Sequence, residues 1–177
     1  MYTAGSPATP TNPPTDPPPT TGGGNSGLAV QYRANDTNGS NNSASPHFMI
    51  TNGGSAAVDL STVKLRYYFT KDNDTAFSSF CDWAQVGCDN IQASFVPMSK
   101  QTSSADTYLE ISFKPSVGSV APGANSGPIQ ARFSKTDWSN FNEANDYSFD
   151  GATINFANAA NVTLYVSGTL VWGVEPS

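Results

Sequence analysis

The stretch Val63-Lys64-Leu65-Arg66-Tyr67-Tyr68-Phe69 decides the fold class, because apolar and polar side chains alternate along it. Successive side chains of a β-strand point to opposite faces of the sheet. The odd-numbered residues of this stretch are all apolar or aromatic and would face the core. The even-numbered residues, Lys64, Arg66 and Tyr68, would face outward. The stretch therefore predicts a strand with one buried face.

The same alternation recurs further along the chain. In residues 107–113 it points Tyr108 and Glu110 outward, and in residues 128–134 it points Gln130 and Arg132 outward. No segment keeps a 3.6-residue period over the length of a helix, and Asn/Ser/Gly/Asp turns separate the short runs. The sequence therefore predicts an all-β sandwich or jelly roll. The predicted strands lie near residues 28–33, 46–52, 63–70, 91–98, 107–113, 128–134, 162–166 and 169–173.

Composition excludes two classes of partner. The formal net charge of the 177 residues is -6, with 8 Lys+Arg against 14 Asp+Glu. Such a chain cannot offer the basic stripe that nucleic acid requires. It also has no basic amphipathic helix for anionic membranes and no apolar run long enough to span a bilayer. Its Asn, Ser, Thr, Gly and Tyr residues suit a neutral, hydroxyl-rich partner, although a role in solubility explains them equally well.

The two cysteines lie close together in the sequence. Cys81 and Cys88 enclose six residues, so they can close a small disulfide loop, which would imply an oxidising compartment and a secreted protein. Two free buried thiols are the alternative. A zinc site is not expected, because two thiols and the lone His47 are too few ligands at the wrong spacing.

Residues 1–26 differ in composition from the rest of the chain. They are rich in Pro, Thr and Gly and cannot build a core, so they are expected to form an extended linker. Residues 27–177 would then form the folded domain. Met1 precedes a Pro/Thr tract rather than a basic and then apolar stretch, so no signal peptide is recognised there. We expect a fragment of a longer extracellular protein, with a tethered domain beyond the linker.

Seven motifs, in order, carry a resemblance that covers residues 28–176. This set resembles the family 3 carbohydrate-binding modules, and the segment between the two cysteines looks most like the modules appended to bacterial cellulases. The motifs are Leu-Arg-Tyr-Tyr-Phe-Thr (65–70), Cys-Asp-Trp-Ala (81–84), Ala-Asp-Thr-Tyr-Leu-Glu-Ile (105–111), Ile-Gln-Ala-Arg-Phe (129–133), Asp-Trp-Ser-Asn-Phe (137–141), Asn-Asp-Tyr-Ser-Phe (145–149) and Val-Trp-Gly-Val-Glu-Pro (171–176).

The resemblance implies a jelly-roll sandwich of about nine strands with a flat cellulose-binding strip. By position the strip would consist of Asp82, Trp83, Arg132 and Trp138, with Asp82 and Arg132 paired so that they mimic an aromatic ring. The alternatives are an ordinary surface salt bridge and tryptophans in the core. Trp138 lies in a polar run and is expected to be exposed, as is Trp83, whereas Trp172 lies in an apolar strand and is expected in the core.

Two departures from the family concern the strip. Scaffold-borne members often have His where this chain has Trp83, and a further strip tyrosine of those members has no counterpart in the shortened segment around Gly87 and Cys88. These departures are expected to change the area of contact with cellulose and the affinity. The binding mode is expected to stay the same, because Trp83 offers a larger apolar surface than the His it replaces.

The family also implies two further sets of residues on the surface. Polar anchoring positions correspond to Asp36, Asn42 and Gln130, with Asp36 standing where the family has Asn. A shallow groove of unsettled role corresponds to Arg66, Tyr68, Tyr108, Glu110 and Tyr147.

A structural Ca²⁺ site is implied by the same resemblance. Its ligands would be Thr70 and Asp72 from one loop and Asn142, Asn145 and Asp146 from another, with Asn142 standing where the family often has Thr. Carboxylates, amides and carbonyls are the oxygen ligands that Ca²⁺ takes. Asx-rich turns without a metal are the alternative.

The sequence thus predicts a monomeric, non-catalytic module that binds cellulose or a related β-glucan and targets a tethered glycoside hydrolase to it. A helper module that grips a protein or a linker through the groove is a second hypothesis. A small glycoside hydrolase is a third, but hydrolysis needs two carboxylates across a sugar, and no second acid is obviously paired with Glu110.

Overall fold

The computed structural model describes residues 27–177, and it forms an antiparallel β-sandwich. The linker expected at residues 1–26 lies outside the described residues. Twelve strands lie in the described part of the chain: β1 (Leu28–Ala34), β2 (Pro46–Asn52), β3 (Val58–Asp59), β4 (Val63–Phe69), β5 (Phe77–Ala84), β6 (Ile91–Pro97), β7 (Thr107–Phe113), β8 (Ser119–Val120), β9 (Ile129–Lys135), β10 (Ala157–Asn158), β11 (Val162–Val166) and β12 (Thr169–Trp172).

Two five-stranded sheets form the layers of the sandwich. The first sheet has the order β10-β1-β2-β9-β5, and the second has the order β12-β11-β4-β7-β6. Strands β3 and β8 form a separate two-stranded ribbon. Nine of the strands described here have four or more residues, which agrees with the predicted jelly-roll sandwich of about nine strands. No helix among residues 27–177 is long and apolar enough to cross a membrane.

Strand β4, which contains the alternating residues 63–69, forms the middle of the second sheet. Its odd-numbered residues are fully buried, as alternation predicted, and Tyr67 and Phe69 reach the partner rings of the first sheet. The centroids of Phe69 and Phe133 are 4.8 Å apart, so the two layers meet in an aromatic core. Trp172 is buried in this core, as predicted.

Strand β5 is the one long strand that sequence reasoning missed. Its sequence, Phe-Ser-Ser-Phe-Cys-Asp-Trp-Ala, lacks clean alternation, because a register shift between Cys81 and Trp83 interrupts its pairing with β9. Such a bulge changes which face the following side chains occupy. Cys81 and Cys88 form a disulfide, which confirms the predicted pairing and ties the end of β5 to the turn at residues 88–90.

Candidate functional site

The outer face of the first sheet brings Asp82, Arg132 and Phe80 together. Arg132 on β9 is the cross-strand partner of Phe80 on β5. Its guanidinium donates to both carboxylate oxygens of Asp82, with Nε–Oδ2 and Nη2–Oδ1 distances of 2.9 Å each. The guanidinium carbon also lies 4.4 Å from the centroid of the Phe80 ring. The result is a bidentate, planar ion pair beside an aromatic ring.

This ion pair stays accessible to a ligand. The side chains of Arg132 and Asp82 keep 31% and 42% of their surface exposed. The hydrogen bonds from Arg132 hold the pKa of the Asp82 carboxyl below its ordinary value, so the pair is fully charged at neutral pH. Sequence reasoning did not select Phe80, although its place directly before the Cys-Asp-Trp motif puts it beside the strip.

Trp83 lies one residue beyond the ion pair on the same strand. After the bulge it stands opposite Gln130, while the next residue, Ala84, is buried opposite Ile129. Trp83 therefore faces outward, and 48% of its surface is exposed. The disulfide of Cys81 fixes the chain on its N-terminal side. The predicted exposure of Trp83 is confirmed, and the bulge is its structural cause.

Trp138 lies in the turn that follows β9 and is 56% exposed, which confirms the predicted exposure. Its φ angle of 59° is left-handed, a conformation that bulky residues rarely adopt. Hydrogen bonds hold the turn: the Trp138 amide donates to the Lys135 carbonyl at 3.0 Å, and the Asp137 carboxylate accepts from the Ser139 amide at 3.0 Å. Strain of this kind is typical of functional positions.

Two further side chains of this face, Arg33 and His47, were not selected from the sequence. Arg33 donates through Nε and Nη2 to Nδ1 of His47, both at 3.2 Å, so His47 accepts there in its neutral form. Burial and, to a smaller extent, the charge of Arg33 lower the pKa of His47, the charge of Asp82 acts in the opposite direction, and the resulting pKa is about 4. Alternation in strands β1 and β2 is the sequence signal that places both side chains on the outer face of the sheet, where Arg33 is partly exposed and only 4% of His47 is exposed.

The predicted anchoring residues lie at two different places. Gln130 is half-buried in the middle of the first sheet, between His47 and Trp83 in the pairing register. Asp36 and Asn42 lie in the loop after β1, where Asn42 is exposed. The carboxylate of Asp36 is used by its own loop, because it accepts from the Asn38 amide at 2.9 Å and from the Asn41 side chain at 2.6 Å. Asp36 therefore orders the loop that carries Asn42.

The groove residues gather on the outer face of the second sheet. Arg66 lies between the rings of Tyr108 and Tyr165, at 4.5 Å and 4.2 Å from their centroids. Its Nε donates to Glu110 at 3.0 Å, and Lys64 donates to the same carboxylate at 2.7 Å. Burial alone would raise the pKa of Glu110, but these hydrogen bonds outweigh it and leave the pKa lowered. This part of the groove is already filled with internal contacts.

Tyr68 and Tyr147 complete the groove in a different manner from that predicted. Tyr68 faces outward by register, yet it is buried beneath its neighbours, because the rings of Tyr108 and Tyr147 pack edge-on against it. Tyr147 donates to the carbonyl of Val174 and so ties down the C-terminal segment. A cavity of about 310 Å³ remains above Arg66 and Tyr108, with Lys100 and Glu175 also in its wall.

The predicted calcium ligands come from the end of β4, the following loop and the turn at residues 143–145. The hydroxyl of Thr70 lies 2.8 Å from Asp146 Oδ1, 3.4 Å from Asp72 Oδ1 and 3.5 Å from Asn145 Oδ1. Asn142 is held nearby, since its amide donates to Asp72 at 3.0 Å. Burial raises the pKa of Asp146, hydrogen bonds from Thr70 lower it, the charge of Asp72 raises it, and the resulting pKa is about 7.

These oxygens fit a hard cation, because hydroxyl, amide and carboxylate donors converge from two loops. Within residues 27–177 no cluster of three or more His, Cys, Asp or Glu side chains is placed to hold a metal ion, so the set depends on two carboxylates and neutral oxygens. Asp72 also has a left-handed φ of 62°, and the fully buried Lys135 ammonium lies 3.3 Å from its carboxylate. Sequence reasoning missed Lys135.

Comparison with known proteins identifies relatives along nearly the whole described domain. The sequence profile of the family described as "Cellulose binding domain" matches residues 29–173. A protein of Paenibacillus lautus named "Uncharacterized protein in celA 5'region" is 54% identical over 83% of this chain and 100% of its own length. Endoglucanase A of the same species is 52% identical over 86% of this chain, but this chain spans only 22% of that enzyme.

A solved structure shows the same fold. The CBM3b of the major scaffoldin subunit ScaA from Acetivibrio cellulolyticus superimposes with a TM-score of 0.82 at 42% sequence identity. The match covers 87% of this chain and 100% of that module.

Proposed function

This chain belongs to the family 3 carbohydrate-binding modules, the cellulose binding domains, and from that premise we propose that it lies on cellulose through Asp82, Trp83, Arg132 and Trp138. We call these four residues the strip. Modules of this family bind without catalysing a reaction, and relatives of this chain are parts of cellulases and scaffoldins. The chain is accordingly a non-catalytic cellulose-binding module, and the strip is its proposed contact.

The observation that carries the proposal is the arrangement of two half-exposed tryptophans and the bidentate Arg132–Asp82 ion pair. Along the direction of strands β5 and β9, the ion pair lies between Trp83 and Trp138. The rings of cellulose present axial C–H groups above and below and hydroxyls around their rims. An indole face sheds water on such a C–H surface and offers it negative π density. The Arg132–Asp82 ion pair adds a flat polar surface beside the indoles, because the guanidinium group of Arg is planar and rigid.

Covering two indoles on cellulose would contribute a large part of the free energy that micromolar binding requires. Covering on the order of 100 Å² of each ring contributes roughly 2–3 kcal/mol at about 25 cal/mol per Å². Two rings then supply roughly half to three quarters of the ~8 kcal/mol that corresponds to a micromolar dissociation constant. Polar contacts from the ion pair and from Gln130 and Asn42 would supply the remainder, less the cost of association.

The role in the parent protein is targeting. Residues 1–26 would act as a Pro/Thr/Gly-rich spacer to a glycoside hydrolase, and the module at residues 27–177 would keep that enzyme concentrated at the polysaccharide. The disulfide supports an extracellular location, because disulfides persist in oxidising compartments.

Depletion isotherms of the full chain on microcrystalline cellulose test the strip. The wild-type chain should be depleted from solution with a micromolar dissociation constant, and Trp138→Ala should lose most of this binding while its circular dichroism spectrum stays native. Wild-type protein that remains in solution beside cellulose would refute the proposal. So would full binding by a folded Trp138→Ala variant.

We further propose that Thr70, Asp72, Asn142, Asn145 and Asp146 hold one structural Ca²⁺. A bound ion would join the loop after β4 to the turn before Ser148 and stabilise the fold by mass action, by about 2.7 kcal/mol at one hundred times its dissociation constant. Chelation should lower the melting temperature, added Ca²⁺ should restore it, and Asp146→Asn should abolish the difference. A melting temperature indifferent to chelator and to Ca²⁺ would exclude the site.

A further inference from the structure

A continuous row of side chains crosses the outer face of the first sheet at right angles to its strands. The pairing register places Arg33 opposite His47, His47 opposite Gln130, and Gln130 opposite Trp83. Directly opposed residues share a face of the sheet. Since neighbouring strands lie about 4.8 Å apart, the row runs ~14 Å from β5 to β1. It begins at the strip and ends at the far side of the sheet.

A loop lies at the far edge of the sheet, beside Arg33. The Ala34 amide donates to the Thr153 carbonyl at 2.8 Å, and Tyr32 pairs with Ala157. Residues 154–156 form the loop that leads into β10 at this edge. In this loop Ile154 is 58% exposed, and the ring of Phe156 lies 5.8 Å from the Arg33 guanidinium carbon.

The face thus has a guanidinium–phenyl pair at each edge. Arg132 with Phe80 lies at the β5 edge, and Arg33 with Phe156 lies at the β10 edge. Both guanidinium groups are held in place, Arg132 by Asp82 and Arg33 by His47 and the Asn35 side chain, the latter at 3.0 Å. Within residues 27–177, Arg33 forms no ion pair, and its Nη1 has no hydrogen-bond acceptor. It therefore keeps donors for sugar hydroxyls.

We propose that Arg33 and Phe156 form a second sugar-binding platform, which takes a glucan chain lying beside the chain on the strip in the same cellulose surface. This inference rests on the proposed function. The strip follows strands β5 and β9, from Trp83 past Arg132 towards Trp138, whereas the second platform is displaced across the sheet. One extended glucan chain cannot run along the strip and also cross the sheet, so the second platform meets a neighbouring chain.

The substitution that tests the platform is Phe156→Ala. On crystalline cellulose, where chains lie side by side, the affinity should fall about 5-fold, the effect of losing one partly covered ring. With soluble cellohexaose, a single chain, the affinity should equal that of the wild type. Val174→Ala is the control, because Val174 is an exposed apolar residue that lies beside the groove. It should bind both ligands like the wild type. Wild-type affinity of a folded Phe156→Ala variant for crystalline cellulose would overturn the proposal.

Hydroxyl-radical footprinting of the wild-type chain gives a second test that needs no variant. Phe156 and Ile154 should be protected on crystalline cellulose and fully reactive with cellohexaose, whereas Trp138 should be protected by both. If Trp138 is protected on crystalline cellulose and Phe156 is not, the second platform is wrong and the strip stands. If Trp138 also stays reactive and the chain is not depleted by cellulose, the proposed function itself fails.

Discussion

Each outer face of the sandwich has an Arg–carboxylate ion pair beside aromatic rings, but the pair is exposed on the first sheet and more buried on the second. On the first sheet, Arg132 pairs with Asp82 beside Phe80, and both charged side chains are well exposed. On the second sheet, Arg66 pairs with Glu110 between two tyrosine rings, and the exposed fractions fall to 24% and 11%. Lys64 and Glu175 add further charges around Arg66.

The difference lies in what covers each face. The C-terminal segment crosses the second sheet, where Glu175 approaches Arg66, accepts a hydrogen bond from Tyr165 and leaves only a groove. The strip on the first sheet has no such cover among residues 27–177. The guanidinium of Arg66 contacts two aromatic rings and two carboxylates within the protein, so it stabilises the fold. A guanidinium with one ring and one carboxylate keeps a free planar surface for a ligand.

The largest expected effect comes from removing both tryptophan side chains of the strip. The double substitution Trp83→Ala and Trp138→Ala should weaken binding to crystalline cellulose by about 4 kcal/mol, roughly a thousandfold, because two exposed indoles are removed. The melting temperature should barely change, since neither ring is packed in the core. Depletion isotherms and thermal melts measure both. Tyr108→Ala in the groove is the control, and if it abolished binding while the double variant bound normally, the two faces would have to exchange roles.

Matched carboxylate substitutions compare the two ion pairs directly. Glu110→Gln should lower the free energy of unfolding by about 2–3 kcal/mol, because it leaves the half-buried Arg66 without its main counter-charge. Asp82→Asn should cost under about 0.5 kcal/mol, because its ion pair is exposed. Cellulose affinity should fall only in Asp82→Asn. Urea unfolding with depletion isotherms measures these quantities, and equal stability losses in the two variants would remove the contrast.

His47 makes the stability of the first face depend on pH. The unfolded chain binds a proton at His47 below about pH 6.5, whereas the folded chain resists it until about pH 4, so protons favour unfolding in this window. Above pH 6.5 this contribution is fully present, and it is lost as the pH falls towards 4. The unfolding free energy of the wild type relative to His47→Gln should drop by about 2–3 kcal/mol between pH 6.5 and 4.

Glu110→Gln is the comparison for that titration, because the pKa of Glu110 is lowered and its contribution is lost only at more acidic pH. Urea unfolding at several pH values, with constant Ca²⁺, gives the difference curves. A flat difference between the wild type and His47→Gln across this window would show that His47 titrates normally in the folded chain.

The smallest expected effect is a gain in stability on the strip. The free energy of unfolding of Trp138→Gly should be about 1 kcal/mol higher than that of Trp138→Ala, because glycine adopts a φ of 59° without the strain that alanine has there. Both variants should bind cellulose equally poorly. Equal stability of the two variants in urea would show that the turn stores no strain for presenting the indole.

Much of this molecule is set locally in the sequence. Alternation at residues 63–69 determines a strand and its buried face, because the side-chain period of a strand is two. The spacing of Cys81 and Cys88 permits the disulfide that the structure contains, and the polar run around Trp138 keeps its indole out of the core. The ordered motifs identified the family.

Tertiary structure decided what depends on pairing across distant segments. The bulge in β5 turns Trp83 outward and places Phe80 against Arg132, and the register alone places Arg33 and His47 in one row with Gln130 and Trp83. Burial of Tyr68 depends on rings from β7 and from the loop before β10. A local pattern fixes which face a side chain takes, but what covers that face comes from residues tens of positions away, and no local pattern contains that information.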